Sequence, residues 1–280
     1  MRAQKNIKKT LATLLRSLYV VAMQSDEPIA TTQRKAGAMK TKYGSTLLTV
    51  ENAKTTKGEA LGYLTGILYL SPARESVPYG GGNLCPMASN ACSDECIYTT
   101  GRGRFDAIKA ARMAKTLYFF KNRDAFMKDL EASIIALERK AKRAGLIPAV
   151  RLNGTSDYPF FRLPIMDRFR HIQFYNYTKV HTRMMDYLSG KLPPNEYLTF
   201  SRSEINDEAC KEVLARGGNV AAVFSTKKGA ELPREYLGHK VIDGDAHDLR
   251  FLDHKNVIVG LRAKGKARND RTGFVVQVGI

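Results

Sequence analysis

The 280-residue chain carries 45 Lys and Arg against 27 Asp and Glu, a net charge of +18, with 44% hydrophobic and 9% aromatic residues. That balance excludes a disordered chain, gives enough apolar material for a sizeable core, and favours a polyanionic partner. No apolar run reaches the ~18 residues that a membrane-spanning helix needs, so a membrane partner is set aside.

In chain order, Met1 to Met23 is basic and then apolar, with Lys8, Lys9 and Arg16 interrupting at helical spacing. This predicts an amphipathic helix rather than a secretory leader, and with it a cytoplasmic protein. Residues 24–60 are polar, and residues 1–60 together hold 11 basic and 4 acidic groups. We therefore read 1–60 as a basic N-terminal extension and 61–280 as one α/β domain.

That domain opens with a strand-like run, Leu61 to Leu70, and a Pro- and Gly-rich loop that leads into Cys85, Cys92 and Cys96. Asp106 to Ala144 is a long helical region broken near Asn122-Arg123-Asp124 and stopped by Gly145. Apolar runs follow at Ala149–Asn153, Ile172–Tyr177, Tyr197–Phe200, Val220–Phe224, Lys240–Ile242 and Val257–Leu261. Helical stretches at Thr182–Leu188 and Ser203–Arg216 fill the gaps. Strands alternating with helices imply parallel pairing, and we expect a (β/α) barrel, full or slightly incomplete.

Polar clusters sit at the strand ends, where barrels place their active sites. They nominate Asp157 as base or nucleophile, with Asn153, Asn176 and Lys227 beside it and Arg202 as a cofactor contact. Helix capping and turns explain part of this, and Asp243-Gly244-Asp245 reads better as a turn than as a cation site. Arg102 and Arg104, separated by glycine, suit phosphate contact, and the block Arg262, Lys264, Lys266, Arg268 and Arg271 suits a nucleic-acid backbone.

Cys85, Cys92 and Cys96 lie within twelve residues, too clustered for a disulfide framework, which points to metal binding or redox chemistry. Three thiolates leave one coordination position open, as a catalytic centre requires. Zinc, with His171 or His181 as fourth ligand, is the competing chemistry. Thiols packed under a loop are the bland one, and Cys210 reads as a core residue.

Residues 61–104 and 149–157, with the ending Val-Gly-Leu-Arg-Ala-Lys-Gly-Lys-Ala-Arg at 259–268, resemble a group of bacteriophage proteins. More broadly the chain is similar to phage three-cysteine-motif proteins, which resemble radical S-adenosylmethionine enzymes. The resemblance implies a [4Fe–4S] cluster on Cys85, Cys92 and Cys96, S-adenosylmethionine at the unique iron, and the host cytoplasm as location. It also offers Arg102, Arg104 and Arg202 a cofactor carboxylate to bind. The spacing C-x6-C-x3-C departs from that family's usual C-x3-C-x2-C.

The expected function is modification of nucleic acid, DNA ahead of RNA, with a partner enzyme left open. The alternatives are a guanine transglycosylase inserting a 7-deazaguanine through Asp157 with Asp243 or Asp245, and a non-enzymatic, zinc-stabilised DNA-binding protein.

Overall fold

The structure, a computed structural model, describes residues 42–50 and 55–279. The helix expected over Met1 to Met23 lies outside the described residues. Strands β1 (Tyr63–Ile67), β2 (Ile147–Arg151), β3 (Gln173–Thr178), β4 (Glu196–Ser201) and β5 (Val220–Phe224) form in order. They are followed by β6 (Glu235–Tyr236), β7 (His239–Asp243), β8 (Ile258–Arg262) and β9 (Val275–Val276). The helices are α1 (Thr55–Glu59), α2 (Asn90–Asp94), α3 (Asp106–Lys121), α4 (Arg123–Ala144), α5 (Ile165–Arg168), α6 (His181–Leu188) and α7 (Asp207–Ala215). None of the described helices is long and apolar enough to cross a membrane.

One sheet takes all nine strands in the order β1-β2-β3-β4-β5-β8-β7-β6, with β9 pairing β5 beside β4. Every pairing is parallel except that of β6 with β7. A closed barrel is not realised: β1 and β6 are the two ends of the sheet, and no described strand joins them.

Alternation along the strands sorts the side chains into two faces. On the helix side, Leu64, Val150 and Phe174 pack with Phe119 of α3 and with Phe126, Leu130, Ile134 and Leu137 of α4. Farther along, Leu198, Phe200, Val220, Ala222 and Ile258 pack with Met184 of α6 and Val213 and Leu214 of α7. Each fully buried Leu, Ile or Phe contributes about 1.5–3 kcal/mol. The break between α3 and α4 falls at Asn122, whose φ of −143° and ψ of 56° leave the helical region.

Residues 42–50 and α1, counted with the N-terminal extension in the sequence, pack on this sheet. Leu47 and Leu48 enter the core, and Thr49 exchanges backbone hydrogen bonds of 2.8 and 2.9 Å with Ile67 of β1. On the opposite face Tyr175, Ala149 and Leu249 form a smaller cluster with Tyr63, Tyr197 and Phe251, which floors the space above.

Gly154 shows how tightly the strand ends are joined. Its N–H donates to Leu68 O at 3.0 Å. An added Cβ would meet Tyr69 Cδ1 at 2.6 Å and Leu68 O at 2.8 Å. Because a backbone carbonyl cannot swing aside, Gly154→Ala should cost about 1–3 kcal/mol. Thermal unfolding of the purified variant checks this, and an unchanged melting temperature would contradict it.

Candidate functional site

The C-terminal ends of the parallel strands surround one cavity of about 420 Å³. Arg151 of β2, Tyr177 of β3, Ser201 of β4, Ala221 and Val223 of β5 and Leu261 of β8 all line it, so the sheet curls around the space. The loop after β1 closes one wall and brings Cys85, Cys92 and Cys96 to that single cavity.

The thiol loop is anchored on two sides. Asp157 N–H donates to Leu84 O at 2.7 Å, and Cys85 Sγ lies 3.9 Å from Thr155 O, tying the loop to the end of β2. Ser89 caps α2 by accepting from Cys92 N–H at 3.1 Å, and its hydroxyl donates to Glu204 Oε2 at 2.8 Å, reaching the loop after β4. The cysteines are all free thiols. Burial pushes the Cys85 thiol up to about 12, with Asp157, Cys96 and Cys92 adding to the rise against a lowering hydrogen bond at Ala73. Burial raises Cys96 as well. A bound cation would supply the charge that ionising such thiols requires.

Soft thiol donors around an open space fit a thiophilic metal or an iron–sulfur cluster. Among the described residues no group of three His, Cys, Asp or Glu side chains stands as a preformed cage, so metal binding would draw the loop inward. The structure does not bring the expected histidines to the thiols. His171 pairs with Glu138 at 2.8 Å and His181 with Glu212 at 3.1 Å, and neither lines the cavity.

Asp157 does face the cavity, but both of its oxygens are engaged. Oδ2 accepts from Thr178 Oγ1 at 3.1 Å and Lys179 N–H at 2.8 Å, and Oδ1 accepts from Arg183 Nη1 at 3.2 Å. Burial raises its carboxyl while Arg183 and these donors oppose the rise. Arg183, at 1% side-chain exposure, also holds Glu196 Oε1 at 2.6 Å. Asn153 organises the same corner: its Oδ1 accepts from Ser156 Oγ at 2.8 Å and Tyr158 N–H at 3.0 Å. Asn176 turns away from the cavity, accepting from Asn153 N–H at 2.9 Å and donating to Glu196 at 3.2 Å.

The other nominated residues divide. Lys227 is exposed on a turn away from the cavity, and so are Arg102 and Arg104 on their own short turn. Arg202 lines the cavity but is held by Asp207 at 2.9 Å and by the carbonyls of Gly273 and Phe274 at 2.6 and 3.0 Å. Asp243 accepts from Asp245 N–H at 2.9 Å, the turn expected of that segment. Burial would raise both carboxyls, yet Arg262 holds Asp243, and Lys264 with Arg262 holds Asp245, below the usual range. Arg262 and Lys264 are thus tied to these carboxylates, whereas Lys266, Arg268 and Arg271 are exposed and make no ion pair among the described residues.

Residues outside the nominated set complete the site. Arg151 lies over the Tyr177 ring at 4.6 Å and pairs with Asp248 at 2.7 Å, neutralising a carboxylate inside the cavity. Lys179 lines the cavity, lies 5.8 Å from the Phe274 ring and makes no ion pair among the described residues, so its cation can take an anionic ligand. Below them Arg250 reaches His247 and Asp253.

Two outcomes follow. Arg183→Met strands two buried carboxylates and should cost about 3–5 kcal/mol, and Asp157→Asn about 1–3 kcal/mol, both read by chemical denaturation. Full stability in Asp157→Asn would free that carboxylate from its structural task. Asp253 is raised to about 6, by burial first and Asp248 second, against Arg250. Its stabilising contribution is present below pH ~4 and lost as pH rises through about 6, so Asp253→Asn should gain on the parent protein between pH 4 and 7, by up to about 3 kcal/mol. A pH-independent difference would contradict it.

With this geometry in place, comparison with protein families finds a match over residues 46–278 to the family described as gene product 88. The match spans the thiol loop and all nine strands. The curated proteins and the solved structures compared gave no match.

Proposed function

The chain belongs to the gene product 88 family, a phage-type protein family, and on that premise we propose that it is a nucleic-acid-modifying enzyme working at a three-thiol metal centre. One observation carries the reading: Cys85, Cys92 and Cys96 all line one half-open cavity, at the end of a parallel sheet where α/β proteins bind their ligands. Structural metal sites are closed cages away from ligand space, whereas these thiols face it.

The strand order supports reading the sheet as an opened (β/α) barrel. Consecutive parallel neighbours run from β1 to β5 and on to β8, and the large helices α3, α4, α6 and α7 pack on one face while the cavity occupies the other. Cys85, Cys92 and Cys96 would hold the metal, with a [4Fe–4S] cluster as our first assignment and zinc as its competitor. The cluster would supply electrons to a co-substrate such as S-adenosylmethionine at its open position. Lys179 would receive an anionic group of substrate or co-substrate, and Tyr177, stacked under Arg151, offers a flat wall for a planar ring. The net charge of +18 supports a polyanionic substrate, DNA ahead of RNA. A transglycosylase through Asp157 and Asp245 is disfavoured, since both carboxylates are neutralised by Arg183 and by Arg262 with Lys264.

Anaerobic purification with iron, sulfide and zinc analysis tests the centre. Each of Cys85→Ala, Cys92→Ala and Cys96→Ala should cut bound metal by more than the roughly tenfold that loss of an outer partner alone costs. Cys210→Ala, on the fully buried face of α7, should leave it unchanged. Iron with sulfide supports the cluster, zinc alone replaces it with the competing metal, and metal retained in the triple variant removes the proposal.

A further inference from the structure

The basic residues nominated at Arg102 and Arg104 and at 262–271 lie far apart in sequence, yet the fold joins them through the turn that precedes Arg102. The turn Ile97–Thr99, which leads into Gly101–Arg104, packs on the turn Gly265–Asn269. The approach is close enough to demand glycine. Gly265 has φ +59°, and a Cβ there would stand 2.5 Å from Thr100 Cγ2. Ile97 and Thr100 on one turn and Lys264 and Ala267 on the other line the cavity, so the joint forms part of its mouth.

The outward side of this joint is cationic. Arg102, Arg104, Lys266, Arg268 and Arg271 are exposed and make no ion pair among the described residues, although Lys266 is felt by Glu95 inside the mouth. Arg262 is subtracted from the set, because it is spent on Asp243 and Asp245. Phe105, 53% exposed, lies beside Arg104 at 5.8 Å from ring to guanidinium and presents an aromatic face to solvent. Cations flanking an exposed ring are what a single-stranded nucleic acid meets on its binders: charges follow the phosphates while bases stack.

Size selects the form of the substrate. A cavity of about 420 Å³ falls within the range of about 300–1,000 Å³ that holds small ligands. It suits one nucleotide and not a duplex, whose target atoms stay inside the stack. A base must leave its stack to reach the thiols. A free phosphate would need only one or two of these cations, and an anionic membrane would place nothing in the cavity.

We propose that the Gly101–Arg104 and Gly265–Asn269 turns form one composite lip that binds the backbone of an unpaired nucleic-acid strand and feeds a single nucleotide into the thiol-lined cavity. The proposal rests on the nucleic-acid reading above and specifies the state in which the strand is recognised.

Fluorescence anisotropy with a labelled single-stranded oligonucleotide and its blunt duplex of equal length, across a salt series, tests it with the full chain. The single strand should bind at least tenfold more tightly than the duplex. Arg102→Ala with Arg104→Ala, and separately Lys266→Ala with Arg268→Ala, should each lower the slope of log affinity against log salt by about 0.7 per charge removed. Gly265→Ala, which removes no charge, should weaken binding by prying the turns apart. Lys142→Ala with Arg143→Ala, on the far end of α4, should leave the slope unchanged. Equal binding of duplex and single strand, with a steep salt slope, overturns the lip and leaves nucleic acid as partner. A slope reduced as much by the α4 pair as by the lip pairs overturns it too. Absence of salt-dependent binding to either oligonucleotide, with capture on vesicles of anionic lipid instead, overturns both this proposal and the substrate class it rests on.

Discussion

The architecture of the site depends on one buried cation. Arg183 comes from α6, at 1% side-chain exposure, and holds Asp157 of the β2 loop and Glu196 of β4 at once. Glu196 in turn accepts from Asn176 of β3, and Asn176 accepts from the backbone of Asn153. A polar spine therefore runs beneath the rim across consecutive strands, in a region where an unpaired charge would be costly. Asp157, through its own N–H, also fixes Leu84, the residue before the first thiol. The position of Cys85 is thus set from below by a guanidinium that never touches it.

This arrangement gives the two faces of the sheet different duties. Helix packing on one face supplies hydrophobic stability from α3, α4, α6 and α7. The other face is left to aromatic flooring and, above it, to paired charges: Arg151 with Asp248, Arg202 with Asp207, Arg262 with Asp243 and Asp245. Such neutralised pairs shape the wall without adding net charge, so Lys179 and Lys57, which line the cavity without an ion pair among the described residues, supply its cations.

Much of the fold was legible in the sequence because apolar runs of strand length and a three-to-four periodicity survive in it. Leu61–Leu70, Val220–Phe224 and Val257–Leu261 contain or nearly coincide with β1, β5 and β8, and the helix break near residue 122 is real. Curvature was not legible, since whether an alternating sheet closes is decided by twist and register rather than composition. At the site the clustering of cysteines was readable, but the hydrogen-bond partners of Asp157 were not. Its partner Arg183 sits in a short helix with no local signal, and only the tertiary fold shows that Asn153-Gly154-Thr155-Ser156-Asp157 is a joint between strands. Gly154 illustrates the same point, for its missing Cβ makes room for Leu68 and Tyr69. The split of the basic block was equally hidden, because Arg262 and Lys264 are claimed by acidic groups from another loop.

Strand β9 carries a consequence of its own. Strands β4 and β5 pair only through Phe200–Val220 and Ser201–Ala221, and where they diverge β9 enters, setting Val275 and Val276 against Val223 and Phe224. Arg202 clips this wedge by binding the carbonyls of Gly273 and Phe274. The wedge comes from the far end of the chain, so the wall between β4 and β5 on the cavity side is completed by residues about fifty positions beyond β5. The eight strands from β1 to β6 are one continuous sheet without it: the last strand turns a sheet into a container.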